Sequence, residues 1–222
     1  MKILLRGFYR VFVSFAKRLD RLTGYKAGDL ARRFTNINTQ RYWNKRFTNM
    51  DEFFRDFPYK NIADFLPKNE DFSLLDIGCA LGDGCELLQK MFPRAHVEGA
   101  DFSPVSIEKA RKKSGEINYF LLDILKDAPP RSYDYIVLSH ILEHVNDPLA
   151  IIDKYLRFVK KAILISTPYT PDIENARLYF SGEHRYLFNE HSFDGYNSRV
   201  LRITSEVQAA GYRNIIFEVK PA

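Results

Sequence analysis

Cysteine is scarce in this chain. Its 222 residues include two, Cys79 and Cys85. That is too few for a disulfide-stapled scaffold, and no second pair completes a zinc site of thiolates. Six residues apart, both read as free thiols of a reducing compartment. Internal repeats and low-complexity tracts are missing too, which sets aside solenoids and linkers. Tryptophan occurs once, as Trp43, and glycine only 11 times. Yet three of those glycines, Gly78, Gly82 and Gly84, fall within seven positions of the stretch "LLDIGCALGDG" (74–84). Backbone without side chains is needed there, as it is where a ligand approaches the main chain closely.

Composition is globular, with 45% hydrophobic and 27% charged residues. The net charge of +5 is unevenly spread: residues 1–46 hold 12 basic and 2 acidic residues, leaving the rest of the chain mildly acidic. This arm begins "MKILLRGFYRVFVSFAKRLDRL", where Ile3, Leu4, Phe8, Val11, Phe12, Phe15, Leu19 and Leu22 recur at helical steps. It is too short and too charged to span a bilayer, which takes roughly 20 apolar residues. Arg10 interrupts its apolar stretch and no cleavage site follows, so it does not read as a secretory signal. A helix packed on the body or on the second subunit of a homodimer accounts for the pattern. So does an amphipathic helix lying on an anionic membrane surface through residues 1–22. The expected location is cytoplasmic, at the inner face of a membrane in the second case. No nucleic-acid-binding motif accompanies the charge, and no nucleic-acid partner is expected.

Beyond residue 72 short apolar runs alternate with helical stretches. "FSLLDIG", "AHVEGAD", "INYFLLDI", "YDYIVLSH", "AILISTP" and "NIIFEVK" read as strands. "CELLQKMF", "SPVSIEKARKKS", "NDPLAIIDKYLRFVKK" and "VLRITSEVQAAGY" read as helices, the second with Ser103 as N-cap and Pro104 at its first position. The alternation predicts an α/β fold: a doubly wound, mostly parallel sheet carrying its ligand at the carboxyl ends of the strands. Residues 1–46 form a basic, largely helical extension and lid. Residues 47–222 form the main domain, with a long insertion near 169–199; loops of that length are usually functional.

The glycine turn departs from the dinucleotide fingerprint G-x-G-x-x-G, since Ala80 and Asp83 occupy its second and third glycine positions. "DIGCALG" instead resembles motif I of the class I S-adenosylmethionine-dependent methyltransferases, D-x-G-x-G-x-G, matching at Asp76, Gly78 and Gly82 and departing at Ala80. "EGADFSP" ends the second strand with Asp101, "FLLDIL" the third with Asp123, and "DYIVLSHILEHVNDP" resembles the family's fourth-strand motif. Taken singly, Asp76 suits a helix-dipole partner, Asp101 a cap and Asp123 a turn. Four such features at four successive strand ends exceed turn chemistry.

The resemblance implies a Rossmann-like methyltransferase fold and S-adenosyl-L-methionine as cofactor. It places Asp76, Gly78, Cys79, Ala80 and Gly82 around the methionine portion, Asp101 on the ribose with Ser103 next to it, Phe102 against the adenine, and Asp123 on the adenine amino group with Ile124 nearby. Ser139 ends the fourth strand, and Tyr42 and Trp43 belong to a segment that folds over the cofactor. Chemistry at the acceptor would involve His140, Glu143, His144 and His184, the last in "GEHRYLFNEHSF". Glu143 and His144 equally suit loop-fixing hydrogen bonds, and Tyr169, Tyr179, Phe180 and Tyr186 suit packing as well as a pocket wall. Ubiquinone-pathway relatives hold a divalent metal with Glu-x-x-Glu-His at the positions of His140, Glu143 and His144. Imidazole in place of the first carboxylate suits magnesium less, and no metal is expected. The implied activity is methyl transfer to an oxygen or nitrogen of a small molecule, glycan or lipid-linked acceptor. The alternative is a catalytically silent member that serves as a binding scaffold.

Overall fold

The structure is a computed structural model that describes residues 38–51, 56–171, 173, 183–205 and 213–222. The chain divides into two units, Met1–Thr39 and Gln40–Ala222, and all the helices and strands named here belong to the second. The amphipathic arm, Tyr179, Phe180 and Gly182 lie outside the described residues.

Helices α1 (Gln40–Thr48) and α2 (Asp56–Ala63) precede β1 (Ser73–Ile77). There follow α3 (Asp83–Met91), β2 (His96–Asp101), α4 (Pro104–Lys113), β3 (Asn118–Leu121), β4 (Tyr133–Ser139), α5 (Pro148–Tyr155), β5 (Val159–Pro168), β6 (Ser198–Ile203) and β7 (Asn214–Val219). One seven-stranded sheet has the order β3-β2-β1-β4-β5-β7-β6. β1 to β5 pair in parallel, while β7 runs antiparallel to both β5 and β6. The strand order reverses between β1 and β4, which places the ligand crevice beyond the ends of these two strands.

Two faces of the sheet are buried, and residue alternation divides them. Leu75, Ile136, Leu138, Ile163, Ile165 and Phe217 join Ile151, Ile152 and Tyr155 of α5 in one cluster. Leu74, Val137, Leu164 and Ile216 join Ile62, Leu88, Ile107 and Ala110 of α2, α3 and α4 in the other. The helix starts follow the sequence: Ser103 Oγ accepts from Ser106 N at 3.2 Å, and Asp147 Oδ1 from Ala150 N at 3.0 Å.

Two expectations are corrected. The helix expected over 146–161 stops at Tyr155, and after one 3-10 turn (Leu156–Phe158) the remainder begins β5. The first part of the helix expected over 200–212 is instead the edge strand β6, which supplies the seventh strand, and residues 206–212 of that expectation lie outside the described residues. Val200, Leu201 and Ile203 satisfy either period, and pairing with β7 decides. Arg199 and Arg202 are held at this edge by Glu218 and Asp64. Among the described residues no helix is long and apolar enough to cross a membrane.

Candidate active site

The turn after β1 carries three left-handed residues: Gly78 (φ +83°), Ala80 (φ +50°) and Gly82 (φ +84°). A Cβ added at Gly78 would meet Ile141, one at Gly82 would meet Tyr119, and one at Gly84 would meet Tyr59. The chain's own backbone and packing therefore require glycine at these positions, in addition to the ligand approach expected of them. Gly78 N and Cys79 N donate to Ala100 O at 2.7 and 3.0 Å, which ties the turn to β2.

Asp76 and Asp101 stand on either side of this turn, both fully buried or nearly so. Asp76 Oδ2 accepts from Tyr59 Oη at 2.9 Å and from Cys85 Sγ at 3.5 Å. Its Oδ1 has no hydrogen-bond partner among the described residues. Burial pushes the Asp76 carboxyl up to about 7, against the two hydrogen bonds. Asp101 accepts from Ser103 N at 2.8 Å and Ala80 N at 3.1 Å, and burial raises it to about 6 against those donors. Cys79 and Cys85 are buried free thiols, and burial raises both. Asp123 lies past the end of β3, where its carboxylate accepts from Leu125 N and Lys126 Nζ; Ile124 packs beside it on the core. Ser103 is occupied as a cap and donates to Asn44 Oδ1 at 2.6 Å.

α1 lies across these strand ends. Gln40 Nε2 donates to Phe102 O at 2.6 Å, and Trp43 packs with Phe47 against Ala80 and Leu81. Tyr42 Oη donates to Glu183, and Arg46 pairs with Glu183 at 2.5 Å while its guanidinium sits over the Trp43 ring.

The second half of the site follows β4. Ser139 ends the strand, and His140 takes the left-handed region (φ +56°), an uncommon conformation for a side-chain-bearing residue. Leu142–His144 form one 3-10 turn. Glu143 is 1% exposed, its Oε1 within 2.9 Å of His140 Nδ1 and its Oε2 accepting from Thr167 Oγ1 at 3.3 Å. Burial alone would raise this carboxyl, but the charge and hydrogen bond of His140 outweigh it and push it down to about 2. His140 Nε2 lies 3.2 Å from the Asn214 amide nitrogen, so both ring nitrogens are engaged, one by Asn214 and one by Glu143. The His144 ring lies 5.5 Å from that of Trp43 and 5.3 Å from that of His184. Burial lowers His184 to about 4, partly offset by Glu143. Arg185 N and Tyr186 N both donate to Glu143 O, which fastens the His184 segment to the 3-10 turn.

The structure thus brings together Asp76, Asp101 and the glycine turn, and, across Trp43, Glu143, His144 and His184. His140 is turned inward, and Asp123 is bound within its own turn. No motif or spacing signals Tyr59, Asn44, Thr167, Glu183 or Asn214, which reach the site only through long-range pairing.

A methyltransferase-domain profile matches residues 42–215. The chain belongs to the methyltransferase domain family. Among curated proteins, the methyltransferase domain is similar to the trans-aconitate 2-methyltransferase of Enterobacter sp. (strain 638), 32% identical over 39% of this chain and 34% of the relative. It is also similar to the malonyl-[acyl-carrier protein] O-methyltransferase of Priestia megaterium, 34% identical over 45% and 38% of the two chains. The matches span about a third of the length of these relatives. In fold, the N-methyltransferase NodS from Bradyrhizobium japonicum WM9, solved with S-adenosyl-L-homocysteine, superposes with a TM-score of 0.62 at 17% identity. That superposition covers 83% of this chain and all of NodS. The class I resemblance of the sequence is borne out in family and fold.

Proposed function

We propose that the protein transfers a methyl group from S-adenosylmethionine to an oxygen or nitrogen of a small-molecule acceptor, free or carried on a glycan or lipid. The observation behind this reading is the pairing of two buried carboxylates, Asp76 with a partnerless Oδ1 and Asp101 beside it, around a left-handed turn at the reversal of strand order. Such groups fit a ligand that brings an amine and a vicinal diol. The cofactor supplies an electrophilic methyl on a sulfonium. Asp101 would accept from the ribose hydroxyls, with the Ser103 and Ala80 amides fixing its carboxylate. Asp76 Oδ1 would accept from the methionine amine. Cys79 and Ser139 would line the pocket, Phe102 and Ile124 flank the adenine, and Asp123 accept from its amino group. Tyr42 and Trp43 would cover the cofactor as part of a lid. Glu143, His144 and His184 would hold the acceptor heteroatom and draw off its proton, with His140 orienting Glu143.

Two of the similar proteins are named for trans-aconitate and malonyl-[acyl-carrier protein]. Carboxylic acids therefore head the acceptor panel, followed by phenols, amines and sugars. The test is transfer of labelled methyl from S-adenosylmethionine to this panel by the full chain. Incorporation into one acceptor class by the native protein, abolished in Asp101→Ala, is expected. Cofactor binding without transfer to any class would favour the scaffold reading.

A further inference from the structure

Three metal-ligating side chains meet on the acceptor side, in a combination the sequence pattern does not supply. We infer that Glu143, His144 and His184 form a binding site for a divalent transition-metal cation, zinc or an ion of similar ligand preference. One ligand atom from each lies within 4.8 Å of the other two. A bound ion draws such atoms to about 3–3.5 Å, so modest rotation of the side chains closes the site.

The supporting contacts are those a metal site needs. His144 Nδ1 lies 3.1 Å from Glu183 O, and a carbonyl only accepts, so Nδ1 donates there and the contact fixes the orientation of the ring. Glu143 is oriented at both oxygens, by His140 and by Thr167. A cation bound beside this buried carboxylate would offset its charge. The ligands come from two segments, and the Arg185 and Tyr186 amides on Glu143 O hold those segments together. His140, the ligand that the sequence pattern would offer, is excluded because its two ring nitrogens face Glu143 and Asn214.

Two imidazoles and one carboxylate favour zinc, iron(II), cobalt(II) or manganese(II) over magnesium or calcium, and leave positions open for a further ligand. An acceptor oxygen bound there would lose its proton more readily. On this proposal the histidines act through the ion, which reverses the metal-free expectation of the sequence.

The site is tested on the full chain without cofactor, so the result does not depend on methyl transfer. Zinc(II) is titrated calorimetrically, and cobalt(II) by its visible absorption. The native protein should take up one equivalent of either ion, and the cobalt spectrum should lack a thiolate charge-transfer band. His144→Ala and His184→Ala should weaken binding at least tenfold. His191→Ala, which alters the exposed His191–Asp194 pair, should leave it unchanged. Absence of stoichiometric uptake, a thiolate band pointing to Cys79 or Cys85, or a folded His184→Ala that titrates like the native protein would each overturn the proposal.

Discussion

Gly82 and Ala80 share a left-handed backbone but tolerate substitution differently. Ala80 already carries a Cβ at φ +50°, whereas a Cβ at Gly82 would fall 2.6 Å from Tyr119 Oη and 2.8 Å from Cζ. Tyr119 is 1% exposed, so its ring is packed within the core. Gly82→Ala should destabilise the fold by about 2–5 kcal/mol, combining the left-handed penalty with overpacking. Denaturant unfolding measures this, and a loss under ~1 kcal/mol would contradict the packing account. The buried acids give a second prediction. Asp76 and Asp101 are raised from 3.8 to about 7 and about 6, so the folded state binds their protons more tightly than the unfolded state. Their stabilising contribution is complete below pH 3.8 and is lost as pH rises through about 6 and 7. Glu143, lowered to about 2, changes only below this window, while His184, lowered from 6.5 to about 4, adds stability as pH rises between those values and offsets part of the loss up to pH 6.5. Between pH 5 and 8 the cofactor-free protein should therefore lose stability, and Asp76→Asn should lose less. Parallel pH profiles for the two would contradict the burial of Asp76. At this scale the sequence identified the acids and the turn, since both sit at strand ends that patterning locates. It did not reveal Tyr59 or Glu183, because neither residue type nor spacing announces a partner some distance away in the chain.

At the scale of elements, α1 carries the most testable content. Trp43, the single tryptophan, touches the glycine turn on one side and His144 on the other. Its emission should shift or quench when S-adenosylhomocysteine is added, and Trp43→Ala should weaken that ligand's binding about tenfold, in keeping with loss of a buried aromatic contact. Unchanged emission at saturating ligand would remove α1 from the site. The aromatic pair was legible as a lid candidate, but its fastening through Arg46, Tyr42 and Glu183 was not. Element types were most legible where burial is two-sided: the runs that form β1, β4 and β5 admit one reading. They failed at β6, an exposed edge whose apolar residues suit a helix as well as a strand until β7 is placed beside it.

At the scale of the molecule, the sheet order, the reversal between β1 and β4, and the covering helix bring two chemically different half-sites together. Buried carboxylates occupy one half. A carboxylate with two imidazoles occupies the other, and Trp43 stands between them. The sequence anticipated this division because alternating strands and helices leave only the carboxyl ends for a ligand. The Glu143–His144–His184 half was less legible because it is assembled from the turn after β4 and a segment some 40 residues later. Calorimetric titration with S-adenosylhomocysteine tests the central claim most directly. The native protein should bind one equivalent in the micromolar range, about −8 kcal/mol, and Asp101→Ala should show no binding while remaining folded. Absence of binding to the native protein, or equal binding to both, would contradict the assignment of Asp101 and the glycine turn as a cofactor site.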